Sequence, residues 1–168
     1  MNAFYEKYQQ DIDEHLAKYP PDRKRSAVMP LLYIAMREDG YISKEEIRQI
    51  AEILGMSPTE VVSISGFYTL FHTEPGGKLR IQVCTDVCCA LRGADKFLED
   101  LCESLGVKPG ETSEDGFLIV EPVMCLASCD KAPMFQCQTT EGIAHHEEQT
   151  VESALEVIED YRKKENAQ

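Results

Sequence analysis

The sequence predicts an α+β protein, an N-terminal helical bundle followed by a half that mixes strands and helices. Three observations carry that expectation. Apolar residues in the first half recur at helical steps, a turn-rich run Glu74-Pro75-Gly76-Gly77 interrupts the chain, and short β-rich runs alternate with amphipathic ones beyond it. The boundary is placed there, giving a helical domain over 1–75 and a second domain over 76–168.

In the helical half, Tyr5, Tyr8, Ile12, Leu16 and Tyr19 form one apolar stripe that ends at Pro20-Pro21. A second helical segment is expected from Asp22 to Glu38, stopping at Asp39-Gly40. Ser43 with Glu46, and Ser57 with Glu60, fit the capping box, in which hydroxyl and carboxylate satisfy free backbone N–H groups, and Pro58 suits a first helical position. Helices are therefore predicted over 44–54 and 58–70, with Gly55 closing the first in a left-handed conformation. The run Phe67, Tyr68, Leu70 and Phe71 is more aromatic than a small bundle requires. It suits either packing between the two domains or contact with a partner.

Beyond the junction the predicted order is strand 79–84, helix 93–105, strand 117–121, strand 133–137 and helix 150–163. The helices rest on Ala94, Phe97, Leu98, Leu101 and Leu105, then on Val151, Leu155, Ile158 and Tyr161. A strand, helix, strand start favours a parallel pair with a right-handed crossover, so the loops after the first two strands leave the same sheet edge.

Those loops carry the most informative residues. Cys84 with Cys89, and Cys125 with Cys129, each follow an apolar run, Leu79–Val83 in one case and Phe117–Met124 in the other. Two thiols at each of two neighbouring strand ends can hold one metal centre, and four thiolates suit either an iron–sulfur cluster or a zinc ion. Spacing alone leaves the two open. A redox disulfide is disfavoured because neither pair is C-x-x-C.

Cys88 adjoins Cys89 and would also pair with Cys84. Cys102 and Cys137 read as small buried hydrophobes in a helix and a strand, and His145-His146 as part of an exposed loop. An iron–sulfur centre is anionic and becomes more so on reduction, so Arg92 and Lys131, just past the two loops, would offset its charge while Asp86 and Asp130 oppose it. Each of the four also suits an ordinary solvated surface.

Composition limits the function. A formal charge of −13 and a pI near 4.7 argue against phosphate-backbone binding. The longest apolar stretch, Ala27–Met36, is interrupted by Pro30 and is far shorter than the roughly 20 residues that span a bilayer. The first residues have neither a signal-peptide pattern nor an organelle presequence, so a reducing cytoplasm is the expected location. There, seven cysteines read as metal ligands and core residues rather than as a disulfide framework. No glycine-rich phosphate loop opens a helix after a strand, which gives no reason for the chain to bind NADH or flavin itself.

The runs Ile81-Gln82-Val83-Cys84-Thr85, Cys89-Ala90-Leu91-Arg92-Gly93 and Cys125-Leu126-Ala127-Ser128-Cys129-Asp130-Lys131-Ala132-Pro133 resemble the thioredoxin-like 2Fe-2S ferredoxin family. So do Lys24–Leu32, Asp39–Ser43 and Gly66–Phe71 in the helical half, so the likeness covers nearly the whole chain. Within the family it is strongest to the small peripheral-arm subunits of respiratory NADH:quinone oxidoreductase, complex I. Similar small subunits belong to NAD-reducing hydrogenases and NAD-dependent formate dehydrogenases.

The resemblance implies a thioredoxin-like second domain and one 2Fe-2S cluster on Cys84, Cys89, Cys125 and Cys129, with Cys88 a bystander. It implies electron transfer rather than substrate chemistry on this chain, and a partner subunit that carries FMN, oxidises NADH and links to the rest of the peripheral arm. It also implies a place on the cytoplasmic side, peripheral to the inner membrane. The rival of another class is a redox-silent, zinc-stabilised scaffold. Ala127 departs from the family pattern, which usually has glycine there.

Overall fold

A computed structural model describes residues 2–167, and the chain divides into two compact units, Met1–Pro75 and Gly76–Gln168. In the first, α1 (Ala3–Lys7), α2 (Gln9–Ala17), α3 (Val28–Asp39), α4 (Lys44–Leu54) and α5 (Pro58–Phe67) surround a core that includes Ile12, Leu31, Leu32, Ile50 and Val61. The two predicted capping boxes are formed. Ser43 N–H donates to Glu46 Oε2 at 2.8 Å and Ser57 N–H to Glu60 Oε2 at 2.9 Å, while Gly55 ends α4 at φ +64°.

Three helical expectations need correction. The stripe from Tyr5 to Tyr19 is broken at Tyr8, whose φ of −121° and ψ of 27° are not helical. Phe4 N–H donates to Gln49 Oε1 at 2.7 Å and Asn2 Nδ2 to Gln49 O at 2.9 Å, so docking on α4 sets the direction of α1 independently of α2. The segment from Asp22 to Glu38 is a 3-10 stretch, Pro21–Ala27, followed by α3. Pro30 explains the break, because its ring and missing N–H are tolerated only in the first turn of a helix. Finally, α5 stops at Phe67 rather than residue 70. The chain turns at Tyr68 and buries Phe71 in this unit's own core, 4.8 Å ring to ring from Tyr33, while Phe67 remains 79% exposed.

The second unit is a four-stranded mixed sheet in the order β2-β1-β3-β4, formed by β1 (Leu79–Cys84), β2 (Leu118–Val123), β3 (Phe135–Thr139) and β4 (Gly142–His146). β1 and β2 are parallel, pairing Leu79 with Leu118 through to Cys84 with Val123, while β3 is antiparallel to both β1 and β4. This is the expected parallel pair with α6 (Val87–Leu91) and α7 (Ala94–Leu105) in the crossover. With the helical unit before it, it makes the α+β architecture that the sequence predicts. α7 and α8 (Val151–Asn166) cover one sheet face, where Ile81, Val83, Val120, Phe135 and Cys137 meet Phe97, Leu101, Ala154 and Ile158.

Arg80, Gln82, Gln136 and Gln138 alternate with those apolar residues and are buried too. Arg80 pairs with Glu121 at 2.8 Å, Gln136 donates to Gln82, and a His145 ring nitrogen lies 3.0 Å from Gln136 Oε1. His145 and His146 therefore lie in β4, not in an exposed loop. His146 stacks on Phe135 at 5.0 Å. β4 and the five-residue α6 carry too little local periodicity to be read in advance, since the first depends on pairing with β3 and the second is barely one turn.

Candidate metal centre

The parallel register brings the two cysteine-bearing segments together. Cys84, the last residue of β1, lies opposite Val123 at the end of β2, and Met124 and Cys125 follow directly. Thr85 fastens the junction by donating its N–H (3.0 Å) and its hydroxyl (3.3 Å) to the carbonyl of Val123. From there Asp86 caps α6 by accepting the Val87 N–H at 2.9 Å, and α6 carries Cys88 and Cys89.

Neighbouring residues on a helix point in different directions, and here the difference separates the two thiols. Cys88 is exposed. Cys89 is 2% exposed and, with Cys84 at 1%, packs among Ala94, Ala132, Met134 and Leu126. On the second segment, Cys125 is exposed and Cys129 half-buried at the start of the 3-10 turn Cys129–Lys131.

That segment is held from several sides. Ala127 adopts a left-handed φ of +64° and donates its N–H to Cys125 Sγ at 3.3 Å. Arg92 Nη1 donates to the carbonyl of Asp130 at 3.0 Å. Glu147 accepts from Ser128 Oγ at 2.8 Å and pairs with Lys131 at 2.6 Å, and the Glu148 N–H bonds the Lys131 carbonyl at 2.8 Å. Glu147 has no local sequence signal, because it reaches the loop through the sheet rather than along the chain.

The thiols feel one another. Burial is the main reason that the Cys89 thiol is pushed up to about 12, and neighbouring Cys84, Cys129 and Cys125 add to it. Cys129 is pushed up to about 11, first by Cys88 beside it and then by Cys125. Cys89 thus lies within electrostatic reach of Cys84, Cys125 and Cys129, and a bare thiolate is penalised at Cys89 and at Cys129. Bound cations reverse that penalty and deprotonate the thiols outright.

The donor set is all sulfur, which suits iron–sulfur or zinc chemistry. Among the described residues no three His, Cys, Asp or Glu side chains converge as ligands of a single ion. A two-iron centre distributes its four thiolates over two metals and does not require such convergence. Cys102 and Cys137 stand apart, buried as small hydrophobes, and burial alone pushes the Cys137 thiol up to about 12.

The two thiol-bearing segments meet at the ends of two parallel strands of this mixed sheet, a candidate site for an iron–sulfur centre or a zinc ion. The chain belongs to the thioredoxin-like 2Fe-2S ferredoxin family, whose sequence model matches residues 12–162. Membership implies one 2Fe-2S cluster.

Among relatives, the chain is 42% identical over 134 residues to a Thermus thermophilus protein named NADH-quinone oxidoreductase subunit 2, covering 80% of this chain and 74% of that one. It is 40% identical over 127 residues to an NADH-quinone oxidoreductase subunit of Rhizobium meliloti, covering 76% and 74%. With a Mycobacterium tuberculosis protein also named as a subunit of NADH-quinone oxidoreductase the identity is 35% over 152 residues, 90% of this chain but 58% of that protein. The fold is similar to that of an NAD+-reducing NiFe-hydrogenase in its H2-reduced state, with a TM-score of 0.65 over 79% of this chain and 22% of that one. At 18% identity that likeness concerns the fold alone.

Proposed function

We propose that this chain is the 2Fe-2S electron-transfer subunit of an NADH:quinone oxidoreductase, with Cys84, Cys89, Cys125 and Cys129 holding the cluster. The observation that carries the reading is the 35–42% identity to subunits named for that complex, over 76–90% of this chain. The delivery of both thiol pairs to one sheet edge supports the ligand set. When bound, the cluster supplies one-electron storage and transfer.

The chain's own residues do the rest. Cys84 and Cys89 are anchored in a water-poor pocket, the Ala127 N–H supplies positive partial charge to a ligand sulfur, and the exposed Cys125 leaves that side of the site open to a partner. The partner is a subunit that binds FMN and NADH. This chain has no glycine-rich phosphate loop for either, so its part in the enzyme is to pass electrons. None of the described helices is long and apolar enough to cross a membrane. The place we assign it is within the peripheral arm, on the cytoplasmic side of the inner membrane.

The test is an anaerobic visible spectrum before and after dithionite, with iron, sulfide and zinc assayed on the same sample. Bands that bleach on reduction, with iron and sulfide in equal amounts, are expected. A colourless protein holding zinc without sulfide would return the chain to a scaffold role. Adding NADH should bleach the bands only when the flavin-carrying subunit is present.

A further inference from the structure

We propose that Arg92 is a positioning residue of the metal centre: its guanidinium fastens the Cys125–Cys129 segment to the helix carrying Cys89 and supplies a cation, unshared with any carboxylate, that favours the reduced cluster. The inference rests on the cluster reading given above.

Arg92 is the C-terminal cap of α6, three residues past Cys89, and its Nη1 reaches the Asp130 carbonyl, one residue past Cys129, at 3.0 Å. It therefore ties together two segments that are distant in the chain, each directly attached to a cysteine of the site. The other charges flanking the site are engaged differently. Lys131 is paired with Glu147 at 2.6 Å, Asp86 accepts the N–H of Val87, and the Asp130 carboxylate, which makes no ion pair among the described residues, opposes the added negative charge. Among the described residues no carboxylate lies within ion-pair distance of Arg92.

Arginine suits both tasks. Its planar fork keeps several donors in a fixed geometry, and its charge persists at every working pH. Reduction adds one negative charge to the centre, so a fixed cation nearby shifts that equilibrium toward the reduced form. Because Arg92 is exposed, salt screens the effect.

The test uses the full chain with its cluster, comparing Arg92→Gln, Arg92→Lys and Lys131→Gln. For each, iron and sulfide content, the rate of cluster loss to a chelator, and the midpoint potential at low and high ionic strength are measured. Arg92→Gln should lower the reduction equilibrium constant by about threefold at low salt, about 28 mV at about 59 mV per tenfold, and less at high salt.

Arg92→Lys should keep the potential but lose its cluster faster, because a single ammonium holds the Asp130 carbonyl less firmly. Lys131→Gln should move the potential less than Arg92→Gln does. An unchanged potential in Arg92→Gln overturns the proposal, as does an equal fall in Arg92→Lys or in Lys131→Gln. A purely structural role would change cluster retention and leave the potential alone. Absence of iron and sulfide from the unsubstituted chain would instead defeat the cluster reading itself.

Discussion

The backbone N–H of Ala127 lies 3.3 Å from the sulfur of Cys125, and Ala127 reaches that position only by adopting a left-handed φ of +64°. An alanine there carries steric strain that glycine avoids, because its Cβ crowds the following carbonyl.

Ala127→Gly should therefore stabilise the protein by roughly 0.5–1 kcal/mol, since about 1–2 kcal/mol of left-handed strain is released against about 0.5–1 kcal/mol of chain entropy gained by the unfolded state. Melting followed by circular dichroism on the loaded chain should show a small rise in midpoint, with the visible spectrum unchanged. A fall would mean that the methyl group contributes packing that outweighs the strain.

Burial separates the adjacent thiols Cys88 and Cys89. Cys89→Ser should abolish or alter the cluster spectrum, whereas Cys88→Ser should leave it nearly unchanged, although the Cys88 thiol lies beside that of Cys129. Iron and sulfide analysis of both variants checks this. Equal loss from the two would sink the choice of Cys89 as ligand.

Asp115 tests the sheet independently of the metal centre. Hydrogen bonds from Ser113, Arg162 and the Phe117 N–H hold its carboxyl well below the usual range. A folded value below the unfolded one, about 3.9, means that the contribution is complete above that pH and is lost as pH falls toward the folded value. Asp115→Asn should thus lower the melting temperature of the cluster-free chain at pH 6, and the difference from the parent should shrink at pH 3. A difference that stays constant across that range would show that the carboxylate charge plays no part.

The features legible in advance share one property, that their causes lie within a few residues. α4 and α5 begin where Ser43 and Ser57 place their hydroxyls, and α4 ends at Gly55. The apolar run Leu79–Val83 marked β1, and the strand, helix, strand order implied the parallel pairing, whose register sets Cys84 beside the start of the second cysteine segment. Both cysteine pairs and the family likeness were equally plain.

The break at Tyr8, the pairing of β4, the inward turn of Cys89 and the grip of Arg92 and Glu147 on the second loop were decided by the tertiary structure. Each depends on a neighbour far along the chain: Gln49 for the first helix, β3 for the histidines, Met134 and Ala132 for Cys89, and the Asp130 carbonyl for Arg92. Sequence by itself determined most of the elements, the residues able to bind metal and the kind of protein they make. Packing alone decided which thiol faces inward and which cation beside the cysteine segments lacks a carboxylate partner, because side-chain direction and ion pairing exist only once distant segments meet.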